Sequence, residues 1–399
     1  MLKNEISKLQ RQPPEFPDVN QVAEQPENAG AKKLSKAWKK QLWRLLWLLL
    51  FPLVFFIKEW AAANPDVIEQ VYSGQVYPIL SMIIGKLFGW MPFSFVEFVI
   101  YALLGLFFAW IIYTIVTAAR KRLRAIKLVQ TLITFAIIVA VAMNVFYGMW
   151  GFNYFRHSVA YSMGLELKER EPQELADLCV LLAGQANALR ESQLEDENGV
   201  FVYAEGNAGI LQKIPSAYST LAEDHPEFKR MAVIPQPKTV AASELMSYAG
   251  ISGIFIPFTE ESNVNVHQTP LLAAVTGAHE SAHFMGIARE DEANFLGYLA
   301  CQYSDDPAVQ YSGIMLALIH AGNALHRISP SAYSQLYSHY NDGVRRDLAA
   351  HNEYWAGYEG KMEETVTQMN DSYLKQQKQE DGVQSYGRMV DLLLAYYDR

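Results

Sequence analysis

His279 and His283 stand four residues apart, with Glu280 directly after the first, in the stretch "GAHESAHFMGIAREDEANF" (Gly277–Phe295). On a helix, residues i and i+4 share a face, so both imidazoles can offer a nitrogen to one metal ion. Glu280 then sits within reach of a water on that ion. This His-Glu-x-x-His arrangement suits Zn2+, which polarises a carbonyl and lowers the pKa of a bound water from about 15.7 to about 7. Glu280 would take the proton as general base and return it to the leaving amine as general acid. The chemistry implied is hydrolysis of a peptide bond. Three fixed residues in five positions arise by chance in roughly one chain in a hundred of this length, given average residue usage. The surroundings therefore have to carry part of the argument.

A catalytic zinc needs three protein ligands and an open position. Gly286 stands three residues after His283, where the chain must turn to bring a third ligand back. Two carboxylates compete for that place, Glu290 and Glu292. Being two apart, they cannot share a helix face. Glu290 and Asn294 can, and Asn294 would then hydrogen-bond a ligand imidazole. Glu290 is favoured on that ground, with Glu292 the alternative. Small Ala293 lets a second helix approach the first. A transition-state donor is expected from Tyr, His or Arg, and Tyr298, Arg345 and Tyr386 are candidates. The other histidines, His157, His225, His267, His320, His326, His339 and His351, show no ligand spacing.

The elements that must position these groups are legible upstream. "LLAAVTGA" (Leu271–Ala278), small and apolar, predicts that the metal helix is buried, and Thr269 with Pro270 marks its cap and first turn. "GIFIPFT" (Gly253–Thr259) is the best strand, stopped by Pro257. It offers either an edge along which an extended peptide or protein substrate adds as a further strand, or a packed core strand. A helix begins at Pro172, an acidic loop runs from Glu195 to Gly209, and a short helix ends at Gly250. Further helices are expected near Asp291–Tyr303, Ala308–His326, Ala332–Tyr340, Val344–Tyr354 and Ser385–Tyr397. Cys179 and Cys301 are the two cysteines, in no metal or redox spacing, and read as small buried residues.

The first 150 residues differ from the rest. Through Trp150 there are 16 Lys+Arg against 9 Asp+Glu, a net of +7; from Gly151 there are 17 against 33, a net of −16. Residues 1–40 are polar and Pro-containing, as in a disordered tail. Three apolar runs follow, near 42–63, 98–119 and 128–149, each long enough to cross a lipid bilayer. Arg44, Lys58 and Glu59 weaken the first and read as interfacial. Between the first and second runs, "VYPILSMIIGKLFGWMPFSF" (Val76–Phe95) is apolar but broken by Pro78, Gly85, Gly89 and Pro92. It is expected along the outer membrane surface rather than as a full span. Basic residues precede the first run, and Arg120, Lys121, Arg122, Arg124 and Lys127 lie between the second and third. The positive-inside bias puts both groups, and the N-terminus, in the cytoplasm. Three crossings then leave everything after Trp150 outside. The acidic second half argues against nucleic acid.

"WGFNYFR" (Trp150–Arg156), "GIFIPFTEESNVN" (Gly253–Asn265), "HESAHFMGIAREDEANFLGYLAC" (His279–Cys301) and "SYGRMVDLLLAYY" (Ser385–Tyr397) together resemble the domain-of-unknown-function 3810 family, bacterial membrane proteins placed among the His-Glu-x-x-His zincins. The resemblance is taken to cover the three spans and the whole second half. It implies a zincin-like fold in a bacterial cytoplasmic membrane protein, with His279, Glu280 and His283 in the motif positions. Glu-x-x-Ala-Asn also resembles the third-ligand helix of gluzincins, which supports Glu290. The six-residue gap between His283 and Glu290 is shorter than in most of them, which keeps Glu292 open.

The expected architecture is thus an all-α anchor of three transmembrane helices, residues 41–150, joined to a mainly α zincin-like domain with a small β-sheet, residues 151–399. The expected function is a membrane-anchored zinc metallopeptidase. Its rival is a non-catalytic receptor or envelope scaffold with a structural metal site.

Overall fold

The computed structural model describes residues 42–120, 125–231, 233–377 and 388–398. The expected tail, the basic residues Lys121, Arg122 and Arg124, and Tyr386 lie outside the described residues. The chain is mostly helical, with one two-stranded and one three-stranded sheet. It divides into two compact units, residues 1–52 with 124–141 and residues 53–123 with 142–399. Among the described residues, three helices are long and apolar enough to cross a membrane, Leu42–Ala63, Phe95–Ala119 and Val129–Met149. The first has a 3₁₀ turn at Leu46–Leu49, then regular helix α1 from Leu50 to Ala63. Pro52 has no N–H and its ring crowds the carbonyl four residues back, which accounts for the tighter turn. In the first unit Arg44 donates to the Thr134 hydroxyl, so this charge has a polar partner.

The stretch between the first two apolar helices is broken at residues 90–94, after Gly89 and around Pro92, but not at Pro78 or Gly85. It is helical from Pro65 to Gly89, with wide π turns over Ile68–Val76 leading into α2 (Tyr77–Gly89). Pro78 lies where wide turns give way to regular ones, so its missing donor is accommodated. Gly85 and Gly89 serve as contact points. A Cβ at Gly85 would stand 3.1 Å from the Phe284 ring, and one at Gly89 3.2 Å from Pro235. The other side of α2 exposes Ile79, Met82, Ile83 and Leu87. The second long apolar helix, α3, starts at Phe95 rather than Phe98 because Ser94 caps it, its hydroxyl accepting the Glu97 N–H. The third belongs to α4 (Ala125–Met149).

After Gly151, α5 (Pro172–Arg190) opens with Pro at its first position and a capping box between Glu171 and Glu174. The expected loop from Glu195 to Gly209 instead holds a hairpin, β1 (Leu194–Glu195) and β2 (Phe201–Val202), and a short helix at Gly206–Ile210. The Asp196 carboxylate accepts the N–H groups of Asn198 and Val200 and shapes that turn. Helix α6 (Ile214–Asp224) precedes the larger sheet in sequence, and α7 (Ser243–Tyr248) falls between its first two strands. That sheet has the order β3 (Lys238–Thr239), β5 (Glu261–Val264), β4 (Gly253–Ile256), with β5 parallel to β3 and antiparallel to β4. Its central strand, "ESNV", is polar and yet wholly buried. Glu261 and Ser262 are satisfied by specific partners, which lets so polar a strand be buried. Ser262 donates to the Glu280 carbonyl, and Glu261 takes Lys238 and the N–H groups of Phe95 and Val96. Glu97 in turn accepts the N–H groups of Ala241 and Ala242. The start of α3 is therefore tied to the sheet by two reciprocal caps.

Helix α8 (Pro270–Phe284), which carries His279, Glu280 and His283, is buried along nearly its whole length. It packs on the sheet, on α9 (Glu290–Gln302) and on α10 (Pro307–Ile328). Small residues allow this: a Cβ on Gly277 would meet Leu211 at 2.7 Å. Phe295, Leu296, Tyr298 and Leu299 of α9 are fully buried, and large apolar side chains contribute about 1.5–3 kcal/mol each when buried. Helices α11 (Pro330–His339), α12 (Asp342–Ala356), α13 (Lys361–Gln376) and α14 (Met389–Tyr397) complete the chain. Thr269 precedes α8, but its hydroxyl pairs with His351 rather than capping the helix. Cys179 and Cys301 are both free and buried.

Candidate metal centre

The end of α8 carries His279, Glu280 and His283. The chain then turns at Gly286, whose φ of 79° is a left-handed conformation that favours glycine. A Cβ there would also stand 2.9 Å from the Tyr77 ring. The turn returns the chain into α9, which begins with Glu290. Gly297 of α9 faces the metal helix, and a Cβ on it would lie 2.9 Å from the His279 backbone nitrogen. Gly297, in addition to buried Ala293, sets how closely the two helices approach.

This packing brings three groups to one point. The Nε2 atoms of His279 and His283 are 3.1 Å apart. Glu290 Oε2 lies 3.2 Å from the first and 3.6 Å from the second. Ligands of a tetrahedral ion with bonds of about 2.1 Å are separated by about 3.4 Å, so the three measured separations fit a zinc-sized ion. Glu292 faces elsewhere and pairs with Arg289 at 2.9 Å. The Ile287 carbonyl holds His283 Nδ1 at 2.7 Å, which leaves Nε2 for the cluster. His279 Nδ1 is buried with no partner among the described residues. Asn294 lines the same cleft without bonding either imidazole.

Imidazoles and carboxylates in the cluster shift one another's titration. Burial pushes the His283 imidazole down, but Glu290 beside it and Glu280 outweigh this, and its pKa rises to about 9. Burial pushes Glu290 up, yet His283 and His279 hold it well below the usual carboxylate range. Burial raises Glu280, which the two imidazoles and the Phe255 N–H only partly offset.

The cluster opens into a cleft of about 870 Å³. One wall is β4. Ser252 gives its carbonyl to Asn265 of the neighbouring chain segment, so strand alternation turns the peptide groups of Gly253 and Phe255 to the free side. There the Phe255 N–H reaches the Glu280 carboxylate. Gly253 is needed at this approach, since a Cβ would stand 2.5 Å from Glu280 Oε1. The opposite walls come from Phe146, Trp150 and Tyr154, from His351 and Trp355 of α12, and from Val366, Met369 and Tyr373 of α13. Burial lowers His351 to about 4, so it is a neutral imidazole.

Of the expected donors, Tyr298 pairs with Tyr397 in the core and Arg345 with the Tyr337 and Ser338 carbonyls. Neither lines the cleft. Tyr154 and Tyr373 do, with their hydroxyls 3.2 Å apart. Tyr154 lies within "WGFNYFR", directly after the third apolar run; Tyr373 and His351 had no spacing to mark them.

Comparison with curated proteins and with solved structures gives no significant match. A family model described as protein of unknown function (DUF3810) matches residues 72–394. The match begins after the first apolar helix, which the resemblance had been expected to include. It takes in the other two apolar helices, the sheet and all four residues of the centre, and on that extent the chain belongs to the DUF3810 family.

Proposed function

We propose that this chain is a membrane-anchored zinc metallopeptidase with a zincin-like catalytic domain on the outer side of the cytoplasmic membrane. The observation that carries the reading is the convergence of His279, His283 and Glu290 beside a buried Glu280 and a free strand edge. The first three would hold the ion. When bound, zinc would polarise the scissile carbonyl and make a water nucleophilic at neutral pH. Glu280, raised by burial, is suited to accept a proton at its carboxylate and to deliver it to the leaving amine. The Gly253 peptide groups and the Phe255 carbonyl, on the free side of β4, would align an extended substrate by strand addition. Tyr154 or Tyr373 would donate to the developing oxyanion. The distribution of basic residues supports the orientation.

A closed structural site needs a fourth protein ligand. Glu292 is engaged by Arg289, and among the described residues no fourth His, Cys, Asp or Glu joins the three. That favours the enzyme over the scaffold. The test uses the full chain in lipid nanodiscs, as wild type, Glu280→Gln and His283→Ala, with zinc quantified and a diverse peptide library supplied. The expected result is one zinc per chain in the wild type and Glu280→Gln, cleavage by the wild type alone, and loss of both in His283→Ala. Hydrolysis by metal-loaded Glu280→Gln would refute the assignment. Zinc without cleavage in the wild type would favour the scaffold.

A further inference from the structure

The cleft is built from the ends of the apolar helices. Trp150, the first residue after the third of them, donates its indole N–H to the His283 carbonyl at 2.9 Å. Its ring lies 6.0 Å from the His283 ring and 5.6 Å from that of Phe255, centroid to centroid. Phe146, inside the same apolar helix, lines the cleft itself. The opposite wall, α13, is fixed at its C-terminal end to the first and third apolar helices: Lys58 donates to the Gln376 carbonyl and the Tyr147 hydroxyl to the Gln377 side chain. The start of α3 is capped by Glu261 on β5, the strand paired with β4. Below the metal helix, Tyr77 of α2 donates to the Phe284 carbonyl at 2.7 Å while the far side of α2 exposes its apolar row.

We infer that this site cuts peptide segments tethered to the same membrane, within a few residues of where they leave it. The inference rests on the peptidase and membrane-anchor readings above. The helix end and the ligand cluster are one side chain apart, so the cluster stands on the order of 10 Å from the membrane surface; an extended chain covers that in about three residues at ~3.3 Å each. A substrate anchored at one end thus reaches the centre directly as it emerges. The first wall it meets is aromatic, formed by Phe146, Trp150 and Phe255, and suits an apolar side chain next to the scissile bond. The anchor can be a transmembrane helix or an acyl chain, because the site reads only the emerging peptide.

The test places the full chain in lipid vesicles together with reporters that carry a randomised peptide segment, with cleavage read by mass spectrometry. The segment sits about five or about forty residues from either a transmembrane helix or a diacyl group, and a soluble set lacks any anchor. Effective concentration falls roughly as the −3/2 power of tether length, so the eightfold longer tether is expected to be cut about 20-fold more slowly. Faster cleavage of the short-tethered reporters supports the inference, and the helix and acyl sets show which anchor is accepted. Equal rates on both tethers, preference for the long one, or soluble segments cut as fast as tethered ones would overturn it while leaving the peptidase standing. Identical lack of cleavage by wild type and Glu280→Gln on every set would instead remove the peptidase reading and the inference with it.

Discussion

Gly297→Ala tests whether the approach of α9 to α8 makes the metal centre. In an exposed helix interior, alanine is more favourable than glycine by about 1 kcal/mol. At Gly297 the new Cβ would stand 2.9 Å from His279 N, 3.1 Å from His279 Cα and 3.4 Å from Ala278 C. All three are backbone atoms, so no side chain can swing aside. Restoring ordinary contact requires the helices to part by roughly 0.7 Å, and overpacking of that kind costs about 1–3 kcal/mol. The net change in stability is then a loss of up to about 2 kcal/mol, or roughly 4–8 °C in Tm for a domain of this size. The same movement carries Glu290 away from both imidazoles. A third ligand misplaced by that much should weaken zinc binding at least about tenfold, which corresponds to 1.4 kcal/mol. The assay is zinc competition against a chromophoric chelator, paired with thermal unfolding. Gly184→Ala serves as control, because it lies exposed within α5 with no heavy atom near its would-be Cβ. It should gain up to about 1 kcal/mol and bind zinc unchanged. A Gly297→Ala protein that gains stability like the control and keeps full zinc affinity would show that the helix contact does not set the site.

Three further outcomes are expected. Gly253→Ala drives a Cβ into Glu280, 2.5 Å from its Oε1, and should lower kcat/KM by about 100-fold with zinc content unchanged; a metal assay and peptide turnover check it together. In the metal-free protein His283 titrates near 9, above the ordinary 6.5 of histidine. Its contribution to stability is therefore complete below about 6.5 and lost as pH rises through about 9, and zinc binding near pH 7.5 should release about one proton. Calorimetry in two buffers of different ionisation enthalpy reads that proton, and no release would contradict the site's electrostatics. Glu261→Gln leaves the buried Lys238 ammonium without its charge partner and should cost about 3–5 kcal/mol. Thermal unfolding in detergent would fall by roughly 10 °C, whereas a change within about 1 °C would mean that the pair is not holding the sheet.

The centre was readable because its geometry is local. His279 and His283 meet through helical spacing, Gly286 announces the turn, and Glu290 arrives at the start of the next helix. The rest of the cleft is not local. Tyr154, His351 and Tyr373 come together from three separate parts of the chain, and no spacing in the sequence connects them. The apolar helices were equally plain, since a membrane crossing demands about twenty apolar residues in a row. The start of α3 was set by a serine cap rather than by hydropathy. Two elements were invisible for opposite reasons. Strand β5 is buried but polar, because Lys238, Glu280 and two backbone N–H groups satisfy it. Helix α13 is polar except for Met362, Val366, Met369, Tyr373 and Leu374; only Leu374 is buried, and Val366, Met369 and Tyr373 form a thin stripe along the cleft. Gly85 looked like a helix breaker because glycine weakens isolated helices, but it lies within α2 and packing against Phe284 requires it, whereas Gly89 does end the helix.

The reciprocal caps at the start of α3 also bear on how the protein is made. Phe95 and its acceptor Glu261 are 166 residues apart, so at about 5–20 residues per second the ribosome needs roughly 8–33 s to supply the second after the first. For that interval the N-terminal end of the nascent second apolar helix waits with two N–H groups still lacking their final acceptor. Glu97 waits roughly 7–29 s for the backbone of Ala241 and Ala242, 144 and 145 residues on. The anchor is thus inserted first and locked last, and a chain that stalls before the sheet is complete leaves the membrane part without its closing joint.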